Sequence, residues 1–270
     1  MSEFKQYEEL SKEVRKDVLE MIYKTKSPHI GGSFSMVEIL VALYFEILSV
    51  DPKNPKNQNR DKFILSKGHG CPALYSVLAR KGFFSKDDLS QFATDGGIFE
   101  QHPNRDLSKG IEISSGSLGH GLSIGAGIAL ADKYDGRNSK TFVYLGDGEL
   151  DEGSNWEAIM FAAHRKLDNL VAIVDFNKLQ ILDRVSEVLN LEPLAEKWRS
   201  FNWEAREIDG HNFKEIISTL KEIPFRKGKP SVIIANTIKG KGVSFMENQQ
   251  CWHDKYPNEE EYKKASEELS

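Results

Sequence analysis

Two apolar runs constrain this chain more than any other feature. Residues 141–145 (TFVYL) and 170–175 (LVAIVD) are near-continuous apolar stretches rich in β-branched residues. A strand with water on one face alternates apolar and polar residues, whereas a run without alternation reads as a parallel strand buried on both faces. Between them lie a helical stretch, about Ser154 to Lys166, and a short turn, Leu167-Asp168-Asn169. The unit is therefore a strand–helix–strand crossover. Such a unit brings the carboxyl ends of both strands to one edge of the sheet, where open α/β folds bind ligands.

The remaining chain extends the same pattern. Strands are expected at 61–65, 204–208 and 231–238, and helices at 7–23, about 72–81, 194–203, 213–222 and in the tail from Pro257. The first helix puts Leu10, Val14, Val18, Met21 and Ile22 on one face. After the loop 26–33 (KSPHIGGS), Ser35 and Glu38 read as a capping box opening a helix that is apolar almost all round. Residues 94–112 and 185–194 read as irregular. Alternating strands and helices without repeat or linker define the expected fold class: one α/β domain over residues 1–270, a doubly wound, mostly parallel sheet with helices on both faces.

Composition narrows the function classes. With 39% hydrophobic and 29% charged residues the chain can bury a sizeable core. A net charge of −5 gives no reason to expect nucleic acid or an anionic membrane as partner. The two cysteines, Cys71 and Cys251, form no CxxC pair. No apolar run is long enough to span a bilayer, and the charged, helical start reads as neither signal nor transit peptide. A cytoplasmic protein is expected.

The crossover brings Asp147 and Asn177 to the same sheet edge. Asp147 offers a hard anionic oxygen, Asn177 a neutral amide oxygen, and the backbone carbonyl of Leu179 a third. Two or three protein oxygens suit Mg²⁺, which completes its octahedral shell with phosphates and water. Gly146 and Gly148 let a diphosphate approach the chain closely. A second glycine-rich stretch, 114–136, feeds a small-residue helix whose first amides favour anions. Its Gly119, Gly121 and Gly125 fit GxGxxxG rather than the dinucleotide fingerprint GxGxxG, and tight helix packing is the competing reading.

Gly146-Asp147-Gly148, Glu152-Gly153 and Asp175-Phe176-Asn177 together resemble the thiamine diphosphate motif of transketolases. Many members carry two asparagines at the motif's end, where this chain has Phe176-Asn177. Residues 27–36 (SPHIGGSFSM) resemble the family's Ser-Gly-His-Pro-Gly stretch, with Pro28 and Ile30 as departures, and LSKGHG, QHP and Trp252-His253-Asp254 match further segments. The resemblance implies that His29, His69, His102 and His253 are catalytic, surrounding the thiazolium C2 and the donor hydroxyls. Imidazole suits such work, since its unperturbed pKa permits proton transfer at neutral pH. It further implies cofactor contacts from His69, Gly116, Leu118, Asp147, Gly148, Asn177 and His253. Mg²⁺, or Ca²⁺ or Mn²⁺ in its place, would sit on Asp147, Asn177 and the Leu179 carbonyl.

His120 stands where the family more often has glutamine, and with His164 and His211 it reads as structural. Glu152 resembles an acidic position near subunit contacts, and Lys239-Gly240-Lys241 reads as a solvated basic loop, with a phosphate patch as the competing reading. The family's pyrimidine-binding domain has no counterpart in these residues. The resemblance therefore implies an N-terminal transketolase subunit that is active with a separate C-terminal subunit, in a two-plus-two assembly. Sugar phosphates are the implied substrates, xylulose 5-phosphate of the pentose phosphate pathway first. Alternatives are a thiamine diphosphate-binding or regulatory subunit without turnover, a transketolase-like enzyme for an unusual sugar, or another superfamily member such as a deoxyxylulose-phosphate synthase or a 2-oxo acid dehydrogenase subunit.

Overall fold

The computed structural model describes residues 3–270. Its strands are β1 (Lys62–Leu65), β2 (Thr141–Gly146), β3 (Leu170–Phe176), β4 (Glu204–Asp209) and β5 (Ser231–Asn236). They form one sheet in the order β1-β2-β3-β5-β4, and every neighbouring pair is parallel. The helices are α1 (Lys5–Thr25), α2 (Ile30–Phe34), α3 (Val37–Ala42), α4 (Cys71–Lys81), α5 (Gly121–Tyr134), α6 (Gly153–His164), α7 (Val185–Val188), α8 (Leu194–Ser200), α9 (Phe213–Lys221) and α10 (Glu259–Glu268). The doubly wound α/β fold expected from the two apolar runs is the fold observed.

Alternate residues of the central strands enter opposite cores, as the two-residue period of a strand requires. Phe142, Tyr144, Val171 and Ile173 pack with α1, α3, α4 and α9. Val143, Leu145, Ala172 and Val174 pack with α5, α6 and α8, where Trp198 and Trp203 meet edge to face at 4.8 Å. Both faces are thus covered. This is why β2 and β3 carry no polar alternation, while the edge strand β4 (EAREID) buries only Ile208. Gly125 permits the closest helix–sheet approach: a Cβ there would lie 2.4 Å from Val143 Cγ2. No helix of the described residues is long and apolar enough to cross a membrane.

Two local expectations of secondary structure are overturned: Val185–Val188, read as irregular, forms the short helix α7, and the second lies at Ser35. Ser35 and Glu38 make no capping box, and the stretch read as a loop is already helical from Ile30. The chain runs through α2, α3 and a π-helical turn, Leu43–Ile47, rather than one long helix. Tertiary partners take both side chains instead. Ser35 Oγ donates to Asp175 Oδ2 at 2.6 Å. Glu38 accepts Arg15 Nη1 and Nη2 at 2.7 and 2.8 Å and faces His211 Nδ1 at 2.9 Å. His211 Nε2 in turn accepts the Ile238 amide at 2.8 Å, so its proton sits on Nδ1 and points at Glu38. The histidine read as structural ties α3 to the chain leaving β5.

Burial alone would raise the Glu38 pKa, but Arg15 and His211 outweigh it and hold the group at about 2. Its contribution to stability is therefore complete above the ordinary value of 4.5 and is lost as pH falls toward 2. Glu38→Ala should cost about 3–5 kcal/mol in chemical denaturation at neutral pH, because it leaves Arg15 buried and unpaired.

Candidate cofactor and substrate site

Every crossover in a parallel sheet returns its loop to the same end, so four strand ends converge here. Lys67 and His69 follow β1, Asp147 and Gly148 follow β2, Asn177 and Leu179 follow β3, and Lys239 follows β5. With Gly32, Leu118, Gln180, Ile181 and His253 they line one cleft of about 240 Å³. The strand register pairs Gly146 with Asp175, which sets Asp147 beside the turn that carries Asn177. The Lys178 amide donates to Asp147 Oδ2 at 2.5 Å, and Gly148 N donates to Oδ1 at 2.8 Å. Asn177 Oδ1 accepts the Leu179 amide at 3.1 Å.

Three buried charges lining this cleft have no ion-pair partner among the described residues: Glu149, whose carboxylate is taken up by three hydrogen-bond donors, and Asp147 and Lys239. Asp147 is 3% exposed, and among the described residues no lysine, arginine or histidine lies within ion-pair distance of it. Burial first, and the Asp175 charge second, push its pKa up to about 7. Lys239 is 1% exposed and pairs with no carboxylate among the described residues. Its Nζ donates instead to the Leu179 carbonyl at 3.0 Å and to His253 Nδ1 at 2.9 Å, and burial lowers its pKa to about 8. Buried charges without partners are costly. An anion and a cation left open in one cleft fit a ligand that itself carries both signs. Donor chemistry agrees: oxygens at Asp147, Asn177 and Leu179 suit a hard divalent cation, and the Leu179 carbonyl keeps a second lone pair beside Lys239.

Lys239 corrects the sequence reading of a solvated basic loop. Gly240, with φ +78°, packs where a Cβ would meet the Met246 carbonyl oxygen at 2.3 Å, and that tight turn folds Lys239 inward. Lys67 is the second cation the sequence reading missed. It sits in the KGHG stretch at 2% exposure, ion-paired with Asp175 and donating to the Gly32 carbonyl at 2.8 Å. The Lys-Gly-Lys spacing at 239–241 hints at phosphate binding, but nothing local to the sequence marks either lysine as buried.

The four loop histidines are neighbours. Ring centroids lie 5.1 Å apart for His29 and His69, 5.4 Å for His29 and His253, 5.4 Å for His69 and His253, and 6.2 Å for His29 and His102. His29 adopts the left-handed region at φ 78°, and its amide donates a hydrogen bond to the His253 carbonyl at 2.9 Å. His102 lies against the glycine loop, in an adjoining cleft shared with Gly116 and His120; a Cβ on Gly116 would sit 3.1 Å from its ring. Leu118 reaches the main cleft, Gly116 the adjoining one. His164 lies outside both clefts, Glu152 is exposed, and the Cys71 thiol donates to the Gln101 carbonyl at 3.1 Å. His29, His253 and Asp254 bring ligand-capable atoms within 4.8 Å of one another.

Burial, reinforced by His102, lowers the His29 pKa to about 4; burial and Lys239 take His253 to about 3. Burial and Lys67 hold His69 well below its ordinary value. At neutral pH these three imidazoles are uncharged. Each can accept or donate a proton and place an N–H donor on an oxygen of a bound ligand.

A cleft at the carboxyl edge of a doubly wound parallel sheet, holding a buried carboxylate and a buried ammonium and ringed by neutral imidazoles, has the build of a ligand site of an α/β protein. The chain belongs to the family described as "Transketolase, thiamine diphosphate binding domain", which matches residues 7–270. It is 45% identical to an apulose-4-phosphate transketolase subunit of Phocaeicola vulgatus, over 96% of this chain and 92% of that one. It is 46% identical to a 6-deoxy-6-sulfo-D-fructose transketolase subunit of Clostridium sp., over 95% and 93%. Among solved structures, the transketolase of Campylobacter jejuni superposes with a TM-score of 0.91 at 31% identity, and that of Leishmania mexicana with 0.90 at 28%. The match covers 97% of this chain in both cases but only 42% and 41% of those longer chains.

Because the folded pKa values are depressed, the neutral histidines favour the folded state above pH 6.5 and lose that contribution as pH falls through the folded values. In NMR titrations, His29 and His253 ring signals should stay at their neutral positions from pH 7 to about 5. Midpoints near 6.5 would contradict the buried, cation-facing cluster.

Proposed function

We propose that this chain is the N-terminal, diphosphate-binding subunit of a transketolase. In this reading it transfers a two-carbon ketol unit from a ketose phosphate to an aldose phosphate together with a C-terminal subunit carrying the pyrimidine-binding domain. The observation that carries the reading is the pair of unmatched buried charges, Asp147 and Lys239, facing one cleft beside the imidazole cluster. Asp147, Asn177 and the Leu179 carbonyl would hold Mg²⁺, or Ca²⁺ or Mn²⁺ in its place; Lys239, His69, His253, Gly148, Gly116 and Leu118 would line the diphosphate and thiazolium. Lys67, held by Asp175, adds positive potential behind the phosphates. When bound, thiamine diphosphate supplies the electron sink for cleaving the bond beside a ketose carbonyl.

The residues of this chain then do three things. Lys239 and the metal ligands orient the anion. His29, His69, His102 and His253 move protons to and from sugar hydroxyls and stabilise negative charge developing on their oxygens. Leu118 and Ile181 supply an apolar wall beside the reacting centre. A separate partner chain is supported by the names of the two relatives, both called subunits, whose lengths this chain nearly matches. A two-plus-two assembly follows from symmetry.

Those names also favour a branched or sulfonated ketose over xylulose 5-phosphate. The test is glycolaldehyde transfer to an aldose phosphate with thiamine diphosphate and Mg²⁺. The donors offered are xylulose 5-phosphate, apulose 4-phosphate and 6-deoxy-6-sulfofructose, with this chain alone and with its co-expressed C-terminal partner. Activity only in the mixture supports the split enzyme; activity of the chain alone refutes the partner requirement. Asp147→Ala should abolish Mg²⁺-dependent cofactor binding. His102→Ala should leave binding intact and slow transfer by about 10²-fold or more, read as kcat at saturating cofactor.

A further inference from the structure

Glu149 is a buried acid that the chemistry above does not use. It is 2% exposed, and no lysine, arginine or histidine of the described residues is ion-paired with it. Burial raises its pKa despite the hydrogen bonds it accepts. Those bonds come from the loop after β1, the glycine-rich loop before α5 and the carboxyl end of β2. Oε1 accepts Ser66 Oγ and the Gly119 amide, the latter at 2.9 Å, while Oε2 accepts the Gly146 amide at 3.0 Å. Ser66 Oγ in turn accepts the Gly121 amide at 3.1 Å, which ties in the start of α5. Asn155 Nδ2 fixes the Glu149 carbonyl at 2.7 Å, so the carboxylate projects from an anchored backbone.

Each of these segments delivers one part of the cleft. Ser66 precedes Lys67 and His69, Gly119 follows Leu118, and Gly146 precedes Asp147. The segments fit too closely to move independently: a Cβ on Gly121 would lie 2.3 Å from Ser66 Oγ, and one on Gly119 2.6 Å from Glu152 Cβ. We propose that Glu149 is a positioning residue whose carboxylate sets the spacing of the metal ligand, the cation and the apolar wall of the cofactor cleft. The inference rests on the thiamine diphosphate reading of that cleft. It also gives GxG at 119–121 a cause other than phosphate contact, since these glycines admit the Glu149–Ser66 clamp.

The charge state makes the idea testable by a near-isosteric change. A carboxylate offers only acceptors, and all three neighbours donate. Glutamine offers one oxygen and one NH₂, so in either orientation the NH₂ opposes an amide donor, at Gly146 or at Gly119. Glu149→Gln should therefore keep the fold, with a melting temperature within a few degrees of wild type. It should raise the Kd for thiamine diphosphate with Mg²⁺ by about tenfold or more, while kcat at saturating cofactor stays within about threefold. Amide hydrogen exchange at Gly119 and Gly146 should quicken in the same variant without added cofactor. Ser66→Ala, which removes one of three donors and leaves the carboxylate satisfied by two amides, should weaken binding by only about two- to fivefold.

The measurements use the full chain, alone and with its C-terminal partner. Wild-type cofactor affinity in a folded Glu149→Gln overturns the proposal, as does a loss of affinity that merely tracks the unfolded fraction. If Glu149→Gln fails to fold, Ser66→Ala decides: unchanged affinity and unchanged exchange at Gly119 overturn it. Should the wild-type protein bind no thiamine diphosphate, the functional reading fails, and the exchange rates still report whether Glu149 clamps the three segments.

Discussion

The buried pair of Lys67 and Asp175 is the interaction on which the carboxyl edge of the sheet depends. Asp175, next to the last residue of β3, has 0% side-chain exposure and Lys67, after β1, has 2%, so neither charge is solvated. A buried pair repays its desolvation only when the remaining polar atoms are satisfied. Here they are. Asp175 Oδ2 also accepts Ser35 Oγ and Oδ1 accepts Thr237 Oγ1, while Lys67 Nζ donates to the Gly32 carbonyl. One ion pair thereby joins the ends of β1, β3 and β5 to the turn carrying His29. Despite its burial, Asp175 is held below the usual carboxylate range by Lys67. It therefore stays anionic, and its charge is part of what pushes the neighbouring Asp147 up.

From that arrangement the electrostatics of the cleft follow. Lys67 is matched by Asp175 and Glu149 by three hydrogen-bond donors, so neither offers a free contact, and Asp147 and Lys239 are left as the open charges. Low solvent access makes both charges costly without a partner, as their shifted pKa values show, and keeps His29, His69 and His253 neutral. The site is thus preorganised for a cation and an anion together at one end, and for proton transfer by uncharged imidazoles at the other.

Much of this was legible in the chain. The apolar runs at 141–145 and 170–175 read as parallel strands covered on both faces, and their order brings Asp147 and Asn177 to one edge. The histidine segments and Gly-Asp-Gly carried the family likeness because their chemistry tolerates few substitutes. Less legible was anything depending on which way a loop side chain turns. Ser35 and Glu38 have the spacing of a capping box, yet Asp175 and Arg15, distant in sequence, offered them better partners. Lys239 looked like surface charge, yet the Gly240 turn folds it inward.

Periodicity and residue type are local properties, and they determined the α/β class, the two-sided sheet and the chemical character of the edge. Which charges are matched and which stay open depends on distances between segments far apart in the chain, 108 positions for Lys67 and Asp175. Only the tertiary structure decided those. A carboxylate's partner is chosen by proximity in a low-dielectric interior, where desolvation makes every unpaired group costly and every satisfied one decisive.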